Sequence, residues 1–297
     1  MNNISDSPID RRQISMQNLS VIAKEISELE EEKQLLLREY FDISTFSSLP
    51  FATAASRLRS AYWARRKEDK SSLRSETVKE KIFVASLLAE NYTIDDIINS
   101  EEDIRSIGTK AKIAYWASNR YSRLAYNRFS SLSEAAEHIA AESFSDVCEL
   151  VSDGDSDFGI LPIENSTDGR LVGFYRMLDK YDLKICAVCN IEDDTGEHFT
   201  RFALISRTLC RFDNTRSRSI ELSATSSNAT QILEIIAIAE HWGMPVKRLS
   251  SVPLYYRGNA CIDTVTLALS DKTAASFFIY LYLFGKDINI LGVFIQI

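Results

Sequence analysis

Glycine is nearly absent from the front of this chain. None of its 10 glycines precedes Gly108, and only Pro8 and Pro50 interrupt that stretch. With so few residues that free or break the backbone, the front reads as helical, and strands and tight turns are left to the rest. Basic charge is also short: 34 Lys and Arg against 42 Asp and Glu give a net charge of −8. That balance argues against a general nucleic-acid binder, which presents a basic face. Long apolar runs are missing. The most apolar run, 277–284, is far below the roughly 20 residues of a membrane helix. The N-terminus lacks the basic, apolar and small-residue order of a secretory leader. Five cysteines, an odd number widely spread, do not make a disulfide framework, so a reducing cytoplasm is the expected compartment. His138, His198 and His241 are scattered, and the C-x-x-C of Cys186 and Cys189 sits on an apparent strand with no second ligand pair. No metal and no cofactor are expected.

What is present is a globular composition, 45% hydrophobic and 26% charged over 297 residues, enough for two or three domains. In the front, Leu19, Ile22, Ile26, Leu29, Leu36 and Tyr40 recur at helical spacing and predict a helix over 16–40. Further helices are predicted over 52–67 and 75–91, and a short one capped from Thr93. The basic residues Arg57, Arg59, Arg65, Arg66, Lys67 and Lys70 read as a solvated face balancing the Glu-rich first helix.

From 109 onward the pattern is mixed. A strand is predicted at 112–116, helices at 133–141 and 144–151, a strand at 158–163, a helix at 171–181, and strands at 183–191 and 200–206. This order implies an α/β layer with a parallel component. The polar segment 213–218 then leads to strand 219–224, helix 228–242, strands 246–252 and 262–269, helix 272–284 and strand 288–295. That is βαββαβ, the ferredoxin-like order. The fold class is therefore multidomain α+β, divided as 1–108 (helical), 109–212 (α/β lobe) and 213–297 (βαββαβ). The last helix is apolar on more than one side, which predicts burial by dimer packing.

The segment Asp157-Phe-Gly-Ile-Leu-Pro-Ile-Glu-Asn-Ser-Thr-Asp-Gly169 and the strand Phe199-Thr-Arg-Phe-Ala-Leu-Ile205 resemble the signatures of the prephenate dehydratases. Tyr121 and Ser122 are similar to that family's Tyr-Ser turn, and the tail resembles its ACT regulatory domain. Together the resemblance covers about 111–297. It implies a lobe of a periplasmic-binding-protein-like fold and the conversion of prephenate to phenylpyruvate in phenylalanine biosynthesis. By the same resemblance Thr200 donates or relays the proton, Asn165, Ser166 and Thr167 hydrogen-bond the substrate, and Glu164 positions them. Ser122, Arg201 and Phe202 would contact substrate. An amino-acid effector would sit at Ser227, Asn228, Ala229, Ser251 and Pro253, across a homodimer formed through the ACT-like domain. The front faintly resembles the chorismate mutase that precedes the dehydratase in bifunctional relatives.

One departure from the family stands out. Its second lobe is inserted between the strands matching 184–191 and 199–205, and here only Glu192-Asp-Asp-Thr-Gly-Glu-His198 joins them. Two other readings therefore stay open. One is a catalytically degenerate relative that senses a small molecule or docks to a partner. The other is a chorismate mutase or prephenate decarboxylase of a specialised pathway.

Overall fold

A computed structural model describes residues 8–41, 49–68, 78–98, 110–210, 217–225, 229–254, 260–270, 272–285 and 288–297. The front consists of α1 (Pro8–Phe41), α2 (Phe51–Glu68), α3 (Val78–Ala89) and α4 (Ile94–Ile98). The helix α4 starts as its sequence suggests. The Asp96 amide donates to the Thr93 hydroxyl at 3.3 Å, and the Thr93 amide donates back to the Asp96 carboxylate at 2.7 Å. The middle runs β1 (Ala111–Trp116), α5 (Arg120–Phe129), β2 (Ala136–Ala141), α6 (Phe144–Asp153), β3 (Phe158–Asn165), the short β4 (Gly169–Arg170), α7 (Val172–Tyr181), β5 (Lys184–Glu192) and β6 (Phe199–Ser206). The tail is β7 (Arg218–Thr225), α8 (Ala229–His241), β8 (Val246–Leu254), β9 (Ala260–Ala268), α9 (Ala274–Phe284) and β10 (Ile288–Gln296). This is the βαββαβ order expected.

All the strands belong to one sheet, in the order β2-β1-β3-β6-β5-β10-β7-β9-β8, with β4 attached to β3. The strands β1, β2 and β3 are mutually parallel, β6 is antiparallel to β3 and β5, and the tail strands pair antiparallel among themselves. The lobe and the tail meet where β10 runs parallel to β5, with Gly292 opposite Ile185. The backbones come very close there. A Cβ on Gly292 would lie 2.2 Å from the Ile185 carbonyl oxygen, so no residue larger than glycine fits without moving a strand.

Alternation along β10 identifies the two faces. Val293 joins the core under α8 and α9, and Ile295 joins the core under α5. Phe294, pointing the other way, joins the core under α6 and α7. On the first face α9 is in turn covered by α2, α3 and α4, through Phe51, Leu58, Tyr62, Val84 and Leu88. The all-round apolar character of α9 is thus satisfied within the chain rather than by a second copy. The helix α1 is held to α3 by Lys33–Glu80 (3.1 Å) and Lys79–Glu30 (3.0 Å), and its Arg38 pairs with Glu90 just past the end of α3 (2.6 Å). Its apolar stripe of Leu19, Ile22, Ile26, Leu29 and Leu36 stays exposed.

Three expectations are corrected. Residues 133–141 are not a helix: Ala136-Glu-His-Ile-Ala-Ala141 is the edge strand β2, in register with β1 from Ala111 to Trp116. The local sequence favours a helix, but the open edge of β1 supplies a full ladder of hydrogen bonds, and tertiary pairing overrides propensity. The segment after β1 is not only a turn. Asn119 caps α5 by accepting the Ser122 amide at 2.9 Å. The cysteines are not all unpaired, since Cys186 is bonded to Cys210. Cys189, its C-x-x-C partner, is a buried thiol whose pKa burial pushes up to about 12.

The tight approach at Gly292 carries a prediction. Gly292→Ala is expected to destabilise the protein by about 2 kcal/mol or more, because Ile185 is backbone and cannot yield. Urea denaturation checks this; an unchanged midpoint would mean the two halves are not joined this way.

Candidate functional site

Parallel pairing puts the C-terminal ends of β1, β3 and β5 at one end of the sheet. The N-terminus of α5, the turn after Asn165 and the connection from β5 to β6 all gather there. Ligands in α/β sheets sit at such ends. The connection is a hairpin. The last ladder pair is Glu192 with Phe199, the Asp193 amide donates to the His198 carbonyl at 2.8 Å, and Gly196 takes the left-handed conformation at φ +71°. The Asp193 carboxylate accepts from the Thr195 hydroxyl at 2.8 Å and from its amide at 3.0 Å, and the hydroxyl bond holds its pKa below the usual range. Arg120, at the start of α5, clamps the neighbouring Asp194 with two contacts of 2.8 and 2.5 Å. Strand pairing continues to the tip, so the turn is a finished structure.

At this end Asn165 and Thr200 are direct partners across β3 and β6. The Ser166 amide donates to the Phe199 carbonyl at 3.0 Å. Its hydroxyl accepts from the Phe199 amide at 3.2 Å and lies 3.3 Å from His198 Nδ1. The Asn165 side chain is used by its own turn, accepting from the Thr167 amide at 3.0 Å and donating to the Asp168 carboxylate at 2.9 Å. Asn165 and Thr200 are half-buried, while Ser166 and Thr167 are exposed. Ser122 is fully buried beneath α5 with a hydroxyl that has no hydrogen-bond partner, and Phe202 is in the core on the same face. Thr200, Asn165, Ser166 and Thr167 are thus neighbours at an open edge, whereas Ser122 and Phe202 are walled into the core.

Glu164 and Arg201 go elsewhere. The β3–β6 register slips between Pro162 and Glu164, so Glu164 pairs with Arg201 and both turn toward the α6–α7 face. There they line a cavity of about 320 Å³ together with Arg170, Glu221, Lys247 and Arg248. Glu164 contacts Arg248, and its carboxylate lies 3.8 Å from Arg170 Nε. Glu221, 1% exposed, is paired with Arg170 and accepts from the Tyr175 hydroxyl at 2.8 Å. Burial pushes the Glu221 carboxyl above its ordinary range, against the opposing pull of Arg170. Burial lowers the Arg201 pKa, and Arg170 and Arg248 lower it further, against the attraction of Glu164 and Glu221.

Sequence reasoning missed Arg170, Glu221, Tyr175, Lys247 and Arg248. The strand β7 alternates Ser219, Glu221 and Ser223 with Ile220, Leu222 and Ala224, a pattern that reads as one solvated face. Instead α7 and Arg170 cover that face, and Ser219, Glu221, Ser223, Thr264 and Thr266 are all buried. Of the effector positions suggested by resemblance, Ser227 and Asn228 lie outside the described residues. Ala229 opens α8, Pro253 is near the end of β8, and Ser251 is exposed on β8.

The profile of the family described as Prephenate dehydratase matches residues 117–194, ending inside the β5–β6 turn. The chain is similar in fold to the prephenate dehydratase of Streptococcus mutans, at 18% identity and a TM-score of 0.50, over 63% of this chain and 98% of that one. Two weaker likenesses are to a prephenate dehydratase from Arthrobacter aurescens solved in complex with L-Phe, and to a structure described as a novel type of quorum-quenching acylase. The first has 14% identity and TM-score 0.47 over 62% and 90% of the two chains; the second has 16% and 0.47 over 63% and 95%. No curated protein matches the sequence.

The buried pair makes a graded prediction. Glu221→Ala leaves Arg170 buried without its partner and is expected to cost about 3 kcal/mol in urea denaturation. Arg120→Ala, which breaks an exposed pair on the surface, is expected to leave the midpoint unchanged.

Proposed function

We propose, on the prephenate dehydratase family membership carried by residues 117–194, that this chain is a prephenate dehydratase-like protein of aromatic amino-acid biosynthesis. The observation that carries the reading is the meeting of the two signature segments. The strand ending in Asn165 and Ser166 is paired with the strand starting at Phe199 and Thr200, at the ligand-binding end of the sheet. In the dehydratase reaction prephenate loses its ring hydroxyl as water and one carboxylate as carbon dioxide, leaving phenylpyruvate. Thr200 is the group assigned to give the departing hydroxyl its proton, and Ser166 and Thr167 to hold the substrate by hydrogen bonds. The βαββαβ tail is assigned an ACT-like role, binding an amino-acid effector in a homodimer in the cytoplasm.

The hairpin favours a second reading, a relative that binds such molecules without turning them over. With Glu192 and Phe199 joined by a short turn, that connection supplies no second wall opposite Thr200 to exclude water. A substrate held on one open edge stays wet, which weakens electrostatic stabilisation and proton control.

Incubation of the purified chain with prephenate, with products followed by mass spectrometry, separates the two. Under the first reading phenylpyruvate forms, and formation drops at least about 100-fold in Thr200→Ala, the scale of a general acid. No turnover at high protein concentration leaves the second reading. That reading expects phenylalanine, tyrosine or prephenate to raise the melting temperature through binding to the folded state; no shift with any of them would sink it.

A further inference from the structure

We propose that the cavity between the lobe and the tail binds a small organic dicarboxylate. It lies on the face of the sheet opposite Thr200, and the inference does not rest on turnover of prephenate. Its lining carries four cationic side chains, Arg170, Arg201, Lys247 and Arg248, against two carboxylates, Glu164 and Glu221. Each carboxylate is already engaged, Glu164 by Arg248 and Glu221 by Arg170 and Tyr175. Among the described residues the lining holds no counter-charge for the remaining positive charge.

The donors are unsatisfied as well as the charge. The Arg170 side chain is only 8% exposed, yet its Nε has no hydrogen-bond partner, and the buried Arg201 Nε has none either. A guanidinium Nε with the adjacent amino group forms the fork that a carboxylate fills with two parallel bonds. On Arg170 both amino groups are engaged, by Glu221 and Thr266, and Nε faces Glu164 at 3.8 Å. The spare fork is that of Arg201, and the second cation without a carboxylate among the described residues is Lys247, so one carboxylate on each calls for a dicarboxylate. Lys247 is exposed, reaching the Ser219 hydroxyl at 2.8 Å, and marks the mouth; Arg170 marks the floor.

The rest of the wall argues for an organic body between the charges. Ile163, Val188 and Phe294 are apolar. At about 320 Å³ the cavity is at the small end of ligand sites. Inorganic phosphate would satisfy one fork and leave the apolar wall uncovered.

Isothermal titration calorimetry of the full chain tests this with succinate and glutarate, and with acetate and inorganic phosphate for comparison. Saturable binding of a dicarboxylate is expected, at least about tenfold tighter than acetate or phosphate, as loss of one charged fork implies. Arg201→Gln and Lys247→Gln are each expected to weaken it about tenfold. Lys247→Gln changes an exposed side chain, so it keeps the test valid should Arg201→Gln fail to fold. Thr200→Ala, on the other face, is expected to bind as the unaltered chain does. The proposal is overturned by absence of saturable binding, by phosphate binding tightest, by indifference to both cavity substitutions, or by loss of binding in Thr200→Ala. Failure of prephenate turnover leaves all of these outcomes readable.

Discussion

The pairing of β5 with β10 is the constraint on which the rest of this molecule depends. Each half of the sheet, alone, would end in an exposed edge with a row of unpaired backbone groups. Joining them removes both edges and makes one sheet from a lobe and a tail that sequence divides near residue 213. The joint is narrow, since Gly292 lies against the Ile185 backbone with no room for a side chain. The ladder shifts register on both sides of that glycine, between Ile290 and Gly292 against β7 and between Gly292 and Ile295 against β5. The strand β10 bends there to serve two neighbours, one parallel and one antiparallel.

That joint decides the electrostatics. A ferredoxin-like sheet carries helices on one face and leaves the other open, and here the open face is polar along β7 and β9. Joined to β5, it lies beneath α7, and Ser219, Glu221, Thr264 and Thr266 leave water. A buried carboxylate must be paired or neutralised. Arg170, on β4, supplies the pair for Glu221, and Arg248 from the tail supplies it for Glu164. Lobe and tail each bury a charge that the other answers. Such a network adds little net stability over an apolar core, but it permits one docking arrangement and penalises others.

The elements were largely legible in the sequence because apolar spacing and capping residues are local signals. The helices α1 to α4, the strands β3, β5 and β6, and the whole βαββαβ tail lie close to where periodicity places them. What was not legible is non-local. The edge strand β2 has a helix-favouring sequence and becomes a strand only because β1 offers a partner. The bulge at Ile163 puts Ile163 and Glu164, neighbours in the chain, on the same face of the sheet, against the alternation that a spacing rule assumes. The Glu221 side of β7 reads as solvated because nothing in the sequence says that α7 will lie on it. The signature segments are therefore legible as sequence, and the fold divides their polar residues, with Thr200 and Asn165 at the edge and Glu164 and Arg201 in the cavity.

The hairpin between β5 and β6 bears on how such a chain can work at all. A cleft enzyme encloses its reaction between two walls, and the short turn from Asp193 to His198 stands where a second wall would attach. The turn is fully formed, with Gly196 left-handed, Asp193 bonded to Thr195, and Arg120 clamped on Asp194. Pairing from Glu192 to Phe199 would have to break before any longer excursion could be accommodated. Among the described residues the edge at Thr200 is consequently open, and the enclosed, charged space lies on the opposite face, between lobe and tail. Enclosure, low dielectric and preorganised charge are what make polar groups strong toward a ligand. Those conditions hold at Arg170 and Arg201 and fail at Thr200, so within this chain the enclosed, preorganised charge is on the face that Glu164 and Arg201 of the signature segments reach, opposite Thr200.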